Sequence, residues 1–155
     1  MRADLSATGR ETRDQRNLID SASARMEQTE MQGQEGADIL IVEDNDTNMA
    51  VLRIMLKKIG QVPREARDGC EGVDMALRER PRLILMDLSM PRKDGITAAR
   101  EIFDALGGDA PPIVAVTASV TAEQQKTCMD AGFSEVLPKP LQFGALSAVL
   151  QRYLG

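Results

Sequence analysis

The stretch Ile39-Leu-Ile-Val-Glu-Asp-Asn45 sets four apolar residues directly against two acids. A run this short and this uniformly apolar reads as a strand buried on both faces. Leu83-Ile-Leu-Met-Asp87 repeats the pattern, and Ile113–Val116 repeats it ahead of Thr117. Between these runs the period changes. Val51, Leu52, Met55, Leu56 and Ile59 recur at helical spacing, with Gly60 as a stop. Gly72–Glu79, the segment from Ile96 to Leu106 ahead of Gly107-Gly108, and Thr121–Ala131 ahead of Gly132 read as helices too. Val62–Ala66 is a weak strand, Glu135–Leu137 a short one, and Leu141–Leu154 a last helix. Asp46 or Thr47 is expected to cap the first of these helices. Asp94-Gly95 reads as a turn signal.

Strand and helix thus alternate five times. Apolar strands between amphipathic helices predict an α/β fold with a parallel sheet covered on both faces. Right-handed crossovers make that sheet doubly wound. Residues 1–36 stand apart. They hold no Phe, Tyr, Trp or Val, and polar residues dominate them. Such a segment buries too little apolar surface to offset the entropy of ordering it. The expected division is a polar, flexible tail over 1–36 and one globular domain over 37–155. Within the tail, Leu18, Ile19, Ala22 and Met26 mark a thin apolar stripe on a transient helix between Asp14 and Met31.

Composition closes several routes. The net charge is -5, so there is no general attraction to nucleic acid or to an anionic membrane surface. No apolar run approaches the roughly 20 residues of a membrane span. Cys70 and Cys128 form no C-x-x-C pair, which excludes an ordinary structural zinc site and suggests two reduced thiols in a cytoplasmic protein. There is no histidine. Histidine general bases, nucleophiles and metal ligands are therefore excluded, and a phosphoryl group arriving here cannot come from a histidine of the same chain.

In doubly wound sheets the working groups gather at the carboxyl ends of the strands. The residues expected there are Glu43 and Asp44, Asp87, Thr117 and Lys139: three acids, a hydroxyl and an amine. Three carboxylates in one place repel, so a positive partner is required. Oxygen ligands without Cys or His favour a hard cation, and few carboxylates with open positions suit magnesium. Such an ion neutralises and aligns a phosphoryl group, Lys139 adds a second positive charge, and Thr117 donates a hydrogen bond. Asp87, ending an interior strand, is the candidate nucleophile, and its product would be a labile acyl phosphate. Each piece alone has a plain structural reading: a loop start, a strand-end threonine, a surface lysine. Their joint occurrence at successive strand ends is what carries the inference.

These residues resemble the receiver domains of two-component response regulators. The matching motifs are Ile39-Leu-Ile-Val-Glu-Asp-Asn45, Leu85-Met-Asp-Leu-Ser-Met-Pro91 with Asp94-Gly95, Val114-Ala-Val-Thr-Ala118 and Leu137-Pro-Lys-Pro140. They cover about residues 38 to 154, and Glu43-Asp44-Asn45 with Asn48 is most similar to receivers of hybrid histidine kinases. The resemblance implies a five-stranded flavodoxin-like sheet in the order 2-1-3-4-5. It implies Asp87 as phosphoacceptor and Asp44, Asp87 and the Ser89 backbone carbonyl as Mg2+ ligands, with Glu43 acting mainly through water. Thr117, Ala118 and Lys139 would contact the phosphoryl group, and the Lys139–Pro140 bond would be cis. The partners implied are a histidine kinase or a histidine phosphotransfer protein acting in trans, and a downstream protein target. Nucleic acid is not among them. The family often pairs through the face spanning 121–154, so a homodimer there is a further expectation.

The sequence departs from the family at one position. An aromatic residue usually stands three residues before the lysine and relays the threonine's movement. Here that residue is Val136, and Phe133 lies three residues too early. The expected switch is a movement of the Thr117 loop without an aromatic swing. Such a protein is not an enzyme in the ordinary sense, since it catalyses only its own phosphorylation and dephosphorylation. The chain ends at Gly155, after the last expected helix, which favours a regulator acting by protein contact or a receiver cut from a larger protein. An aspartyl phosphatase of the haloacid dehalogenase type would need a second acid two residues after Asp87, where Ser89 stands. The alternative is a pseudo-receiver, a binding module that works without phosphorylation.

Overall fold

The computed structural model describes residues 38–90 and 92–155. The tail over 1–36 and its helix lie outside the described residues. Five strands and five helices alternate: β1 (Ile39–Val42), α1 (Asp46–Lys58), β2 (Arg64–Ala66), α2 (Gly69–Glu79), β3 (Leu83–Asp87), α3 (Gly95–Leu106), β4 (Ile113–Thr117), α4 (Ala122–Ala131), β5 (Glu135–Pro138) and α5 (Phe143–Leu154). All strand pairs are parallel, and the sheet order is β2-β1-β3-β4-β5. The order inverts once, between β1 and β3, and that inversion opens the crevice where such sheets place their chemistry.

Side chains alternate across each strand, and the core divides accordingly. Leu40, Val42, Ile84, Met86, Ile113 and Ala115 point to one face, where α2, α3 and α4 cover them. Ile39, Ile41, Leu83, Leu85 and Val114 point to the other, under α1 and α5. β1, β3 and β4 are buried at every position. That explains why their sequences show no polar alternation.

Several element ends differ from the sequence reading. α1 is capped by Asn45, whose side chain accepts from the Asn48 N–H at 2.9 Å, and not by Asp46 or Thr47. β2 begins at Arg64, since Pro63 has no N–H to give a ladder and Val62 is left 65% exposed. α2 begins at Gly69, three residues early, because Asp68 caps it through the Glu71 N–H at 2.8 Å. Two glycines near its start hid that turn from a periodicity argument. Asp94 is more than a turn residue: it caps α3 by accepting from Thr97 N–H at 2.8 Å. α5 starts at Phe143.

Candidate functional site

The five expected groups lie at one edge of the sheet because parallel strands end there together. Asp87 and Thr117 are the last residues of β3 and β4. Glu43 and Asp44 follow β1, and Lys139 follows β5. The register sets Asp87 beside Val116, one residue short of Thr117. The Lys139 N–H donates to the Thr117 carbonyl at 2.9 Å, which fixes where the lysine leaves the sheet. The Lys139–Pro140 peptide bond is cis.

Glu43, Asp87 and Thr117 are 1%, 4% and 5% exposed, and they are the buried polar residues among those described. The Lys139 ammonium donates to Asp87 Oδ1 at 3.1 Å and lies 3.2 Å from Glu43 Oε1. Asp44 is exposed, yet one carboxylate oxygen each of Glu43, Asp44 and Asp87 falls within 4.8 Å of the others. Two buried acids thus share one ammonium with a third, exposed acid beside them, a local excess of negative charge.

The titration of Asp87 registers that excess. Burial first, and then the Glu43 charge, push its carboxyl up to about 6, against the opposing pull of Lys139 and of the Ser89 N–H. For Lys139, burial favours the neutral amine, but Asp87 and Glu43 outweigh it and hold the ammonium above its ordinary value. The Ser89 N–H donates to Asp87 Oδ1 at 3.3 Å.

Thr117 Oγ1 accepts from the Ser119 N–H at 3.1 Å, so its hydroxyl is tied to its own loop. Ala118 and Ser119 are exposed beyond it. Val136 sits on β5, half-buried, packed against the α2–α3–α4 side of the core. Phe133 is 2% exposed in the same cluster. Beside the Glu43–Lys139 pair lies a cavity of about 120 Å³ walled mainly by Asn48, Val51, Leu52, Val116, Pro140 and Leu141. Sequence reading missed this cavity wall. It also missed Asn45, whose N–H donates to Glu43 Oε2 at 3.1 Å and helps orient that acid. The cap signal S/T/D/N was present at 44–47 in several copies, and only geometry selects one.

Residues 39–151 match the family model of the response regulator receiver domain, and the chain belongs to that family. It is 42% identical over 118 residues, 74% of its length, to hybrid signal transduction histidine kinase G of Dictyostelium discoideum, of which it spans only 3%. Among solved structures it is similar to the receiver domain of a sensor histidine kinase from Pseudomonas aeruginosa PAO1, at 38% identity and TM-score 0.70, covering 76% of this chain and 97% of that one. That structure has magnesium coordinated in its active site cleft. It is also similar, at 32% identity and TM-score 0.70, to the receiver domain of a Saccharomyces cerevisiae response regulator co-crystallised with its histidine phosphotransfer protein, covering 74% of this chain and 86% of that one. Residues 39–151 are therefore a receiver domain of two-component signalling, a signalling module. No described helix is long and apolar enough to cross a membrane.

Proposed function

We propose that Asp87 accepts a phosphoryl group from a phosphohistidine of another protein, and that this mark alters a protein-binding surface. The observation that carries the reading is the state of Asp87 itself. It is a buried carboxylate beside two further acids, and the one ammonium at 3.1 Å is shared with Glu43. A structural carboxylate would be left paired, whereas this one is left short of positive charge. A divalent cation supplies what is missing, and an incoming phosphoryl group can then be neutralised and aligned against it.

The donor set fits magnesium: carboxylates of Glu43, Asp44 and Asp87, with the Ser89 carbonyl on the adjacent loop, and neither Cys nor His among them. When bound, the ion supplies charge neutralisation for the transferring group. The chain's own residues do the rest. An Asp87 oxygen forms the new O–P bond as the donor's N–P bond breaks, and the histidine nitrogen keeps that electron pair. Lys139 then pairs with the phosphoryl oxygens instead of Asp87. Thr117 releases the Ser119 N–H and turns its hydroxyl to the phosphoryl group, with the Ala118 backbone beside it. That movement reshapes the Thr117–Thr121 loop and the start of α4. Val136 has no polar group to exchange and packs in place. The donor histidine lies outside these 155 residues, which contain none.

The test is intact-mass measurement after incubation with Mg2+ and acetyl phosphate, or with a phosphorylated histidine phosphotransfer protein. One labile phosphoryl gain, absent in Asp87→Asn, is the expected result. No gain from either donor overturns it and leaves a binding module that works without phosphate. Thr117→Ala should keep the gain but lose the amide-resonance changes in the loop and α4.

A further inference from the structure

The segment that leaves β3 passes Ser89 and returns to α3 at Gly95. It is closed at its base. The Gly95 N–H donates to the Leu88 carbonyl at 3.0 Å, and a Cβ at Gly95 would stand 2.3 Å from the Asp87 carbonyl oxygen. Its far end meets the head of α2. A Cβ at Gly69 would stand 2.3 Å from the Lys93 carbonyl oxygen, so the two backbones abut there with no side chain between them.

One ion pair joins these pieces. The Arg92 guanidinium lies 2.9 Å from Asp68 Oδ2, while Asp68 Oδ1 accepts the Glu71 N–H that caps α2. One carboxylate therefore both starts α2 and holds the loop. Arg92 sits at φ 68, in the left-handed region that disfavours a side chain, so the loop conformation is held against a local preference. Lys93 secures the same end from the other side by its contact with Glu101 on α3 at 2.6 Å. Ser89 lies three residues before Arg92, and its N–H already touches Asp87.

We propose that Arg92 is a positioning residue: paired with Asp68, it holds the β3–α3 loop so that Ser89 faces the acidic site and presents its carbonyl to a divalent cation. The inference rests on the magnesium reading given under Proposed function. It concerns only the loop that serves that site. Arg92 and Asp68 themselves touch neither Asp87 nor the ion. The pair is partly exposed, at 63% and 20%, so its influence is modest.

The experiment is calorimetric titration with MgCl2 of the full chain and five variants, each with a thermal melt. Arg92→Ala should weaken Mg2+ binding about two- to five-fold, the range an exposed pair supports. Asp68→Asn keeps a capping side chain but removes the charge, and should weaken binding equally with the α2 melt unchanged. The double variant should be no weaker than either single one, and Arg92→Lys should recover most of the affinity. Equal Mg2+ affinity in the wild type, Arg92→Ala and Asp68→Asn overturns the proposal while leaving the magnesium site intact. Wild-type affinity in Arg92→Gly also overturns it, since backbone relief would then substitute for the pair. No Mg2+ binding by the wild type removes the site reading itself, and the positioning role with it.

Discussion

The β1–β3–β5 corner and the β4–β5 side of the same sheet edge differ in how satisfied they are. At the corner, Glu43 and Asp87 share one ammonium with Asp44 close by, and burial, then the Glu43 charge, push the Asp87 carboxyl up to about 6. On the other side, Thr117 bonds within its own loop and the half-buried Val136 packs against the edge of the core. One region is built with a charge deficit that a ligand must relieve. The other is quiet until something draws Thr117 away. On the function proposed above, acceptance of a phosphoryl group and its readout would be separable in this chain, and substitutions should separate them.

The largest effect is expected at the cation that both buried acids share. Lys139→Met leaves Glu43 and Asp87 without it. Breaking a buried pair from one side costs about 3–5 kcal/mol, partly offset here by protonation of Asp87. The denaturation midpoint at pH 7.5 should fall accordingly and recover when the pH is lowered below 6. An unchanged midpoint would show that the corner tolerates its negative charge.

The second effect has the opposite sign. Because the Asp87 carboxyl is raised when folded, the native state holds its proton longer than the unfolded chain. Stability from this group is full below about pH 4, declines as the pH rises, and is lost above about pH 6. Asp87→Asn removes a charge that is costly at neutral pH. The metal-free variant should therefore be more stable than wild type by about 1–3 kcal/mol at pH 7.5, with the difference vanishing near pH 4. Urea titrations at the two pH values check this. Saturating Mg2+ should shrink the gap at pH 7.5, since the wild type alone keeps the full acid set.

The corner was largely legible in the sequence and the quiet side less so, for a physical reason. Parallel strands end together, so acids after two of the apolar runs already implied that Glu43, Asp44 and Asp87 meet, and the five-fold alternation implied the sheet. What the sequence did not show were relations between backbone segments. Asn45, Asp46 and Thr47 are all fair caps, and only the chain's entry angle selects Asn45. Gly69 opens α2 behind the Asp68 cap, and its missing side chain lets the Lys93 backbone of a distant loop approach. The Asp68–Arg92 pair spans 24 positions with no periodicity to announce it, and depends on a left-handed φ at Arg92. Long-range contacts of this kind leave no local pattern to read.

The smallest effects fall on the quiet side and test whether it is truly separate. Val136→Ala removes two methyl groups from a half-buried site and should cost about 1 kcal/mol. It should leave the rate of phosphoryl gain from acetyl phosphate within about two-fold of wild type, an energy difference of about 0.4 kcal/mol. Val136→Tyr places an aromatic ring where the cluster holds a smaller side chain, and overpacking should cost about 1–3 kcal/mol unless the ring turns outward beside Thr117. The informative measurement is the set of amide shifts in the Thr117–Thr121 loop and α4 on phosphorylation. If Val136 is a passive packing residue, Val136→Ala leaves that set intact and Val136→Tyr enlarges it by adding a ring that follows Thr117. If Val136→Ala abolishes the shifts, an aliphatic side chain transmits the signal here, and the division between an accepting corner and a readout that bypasses β5 fails.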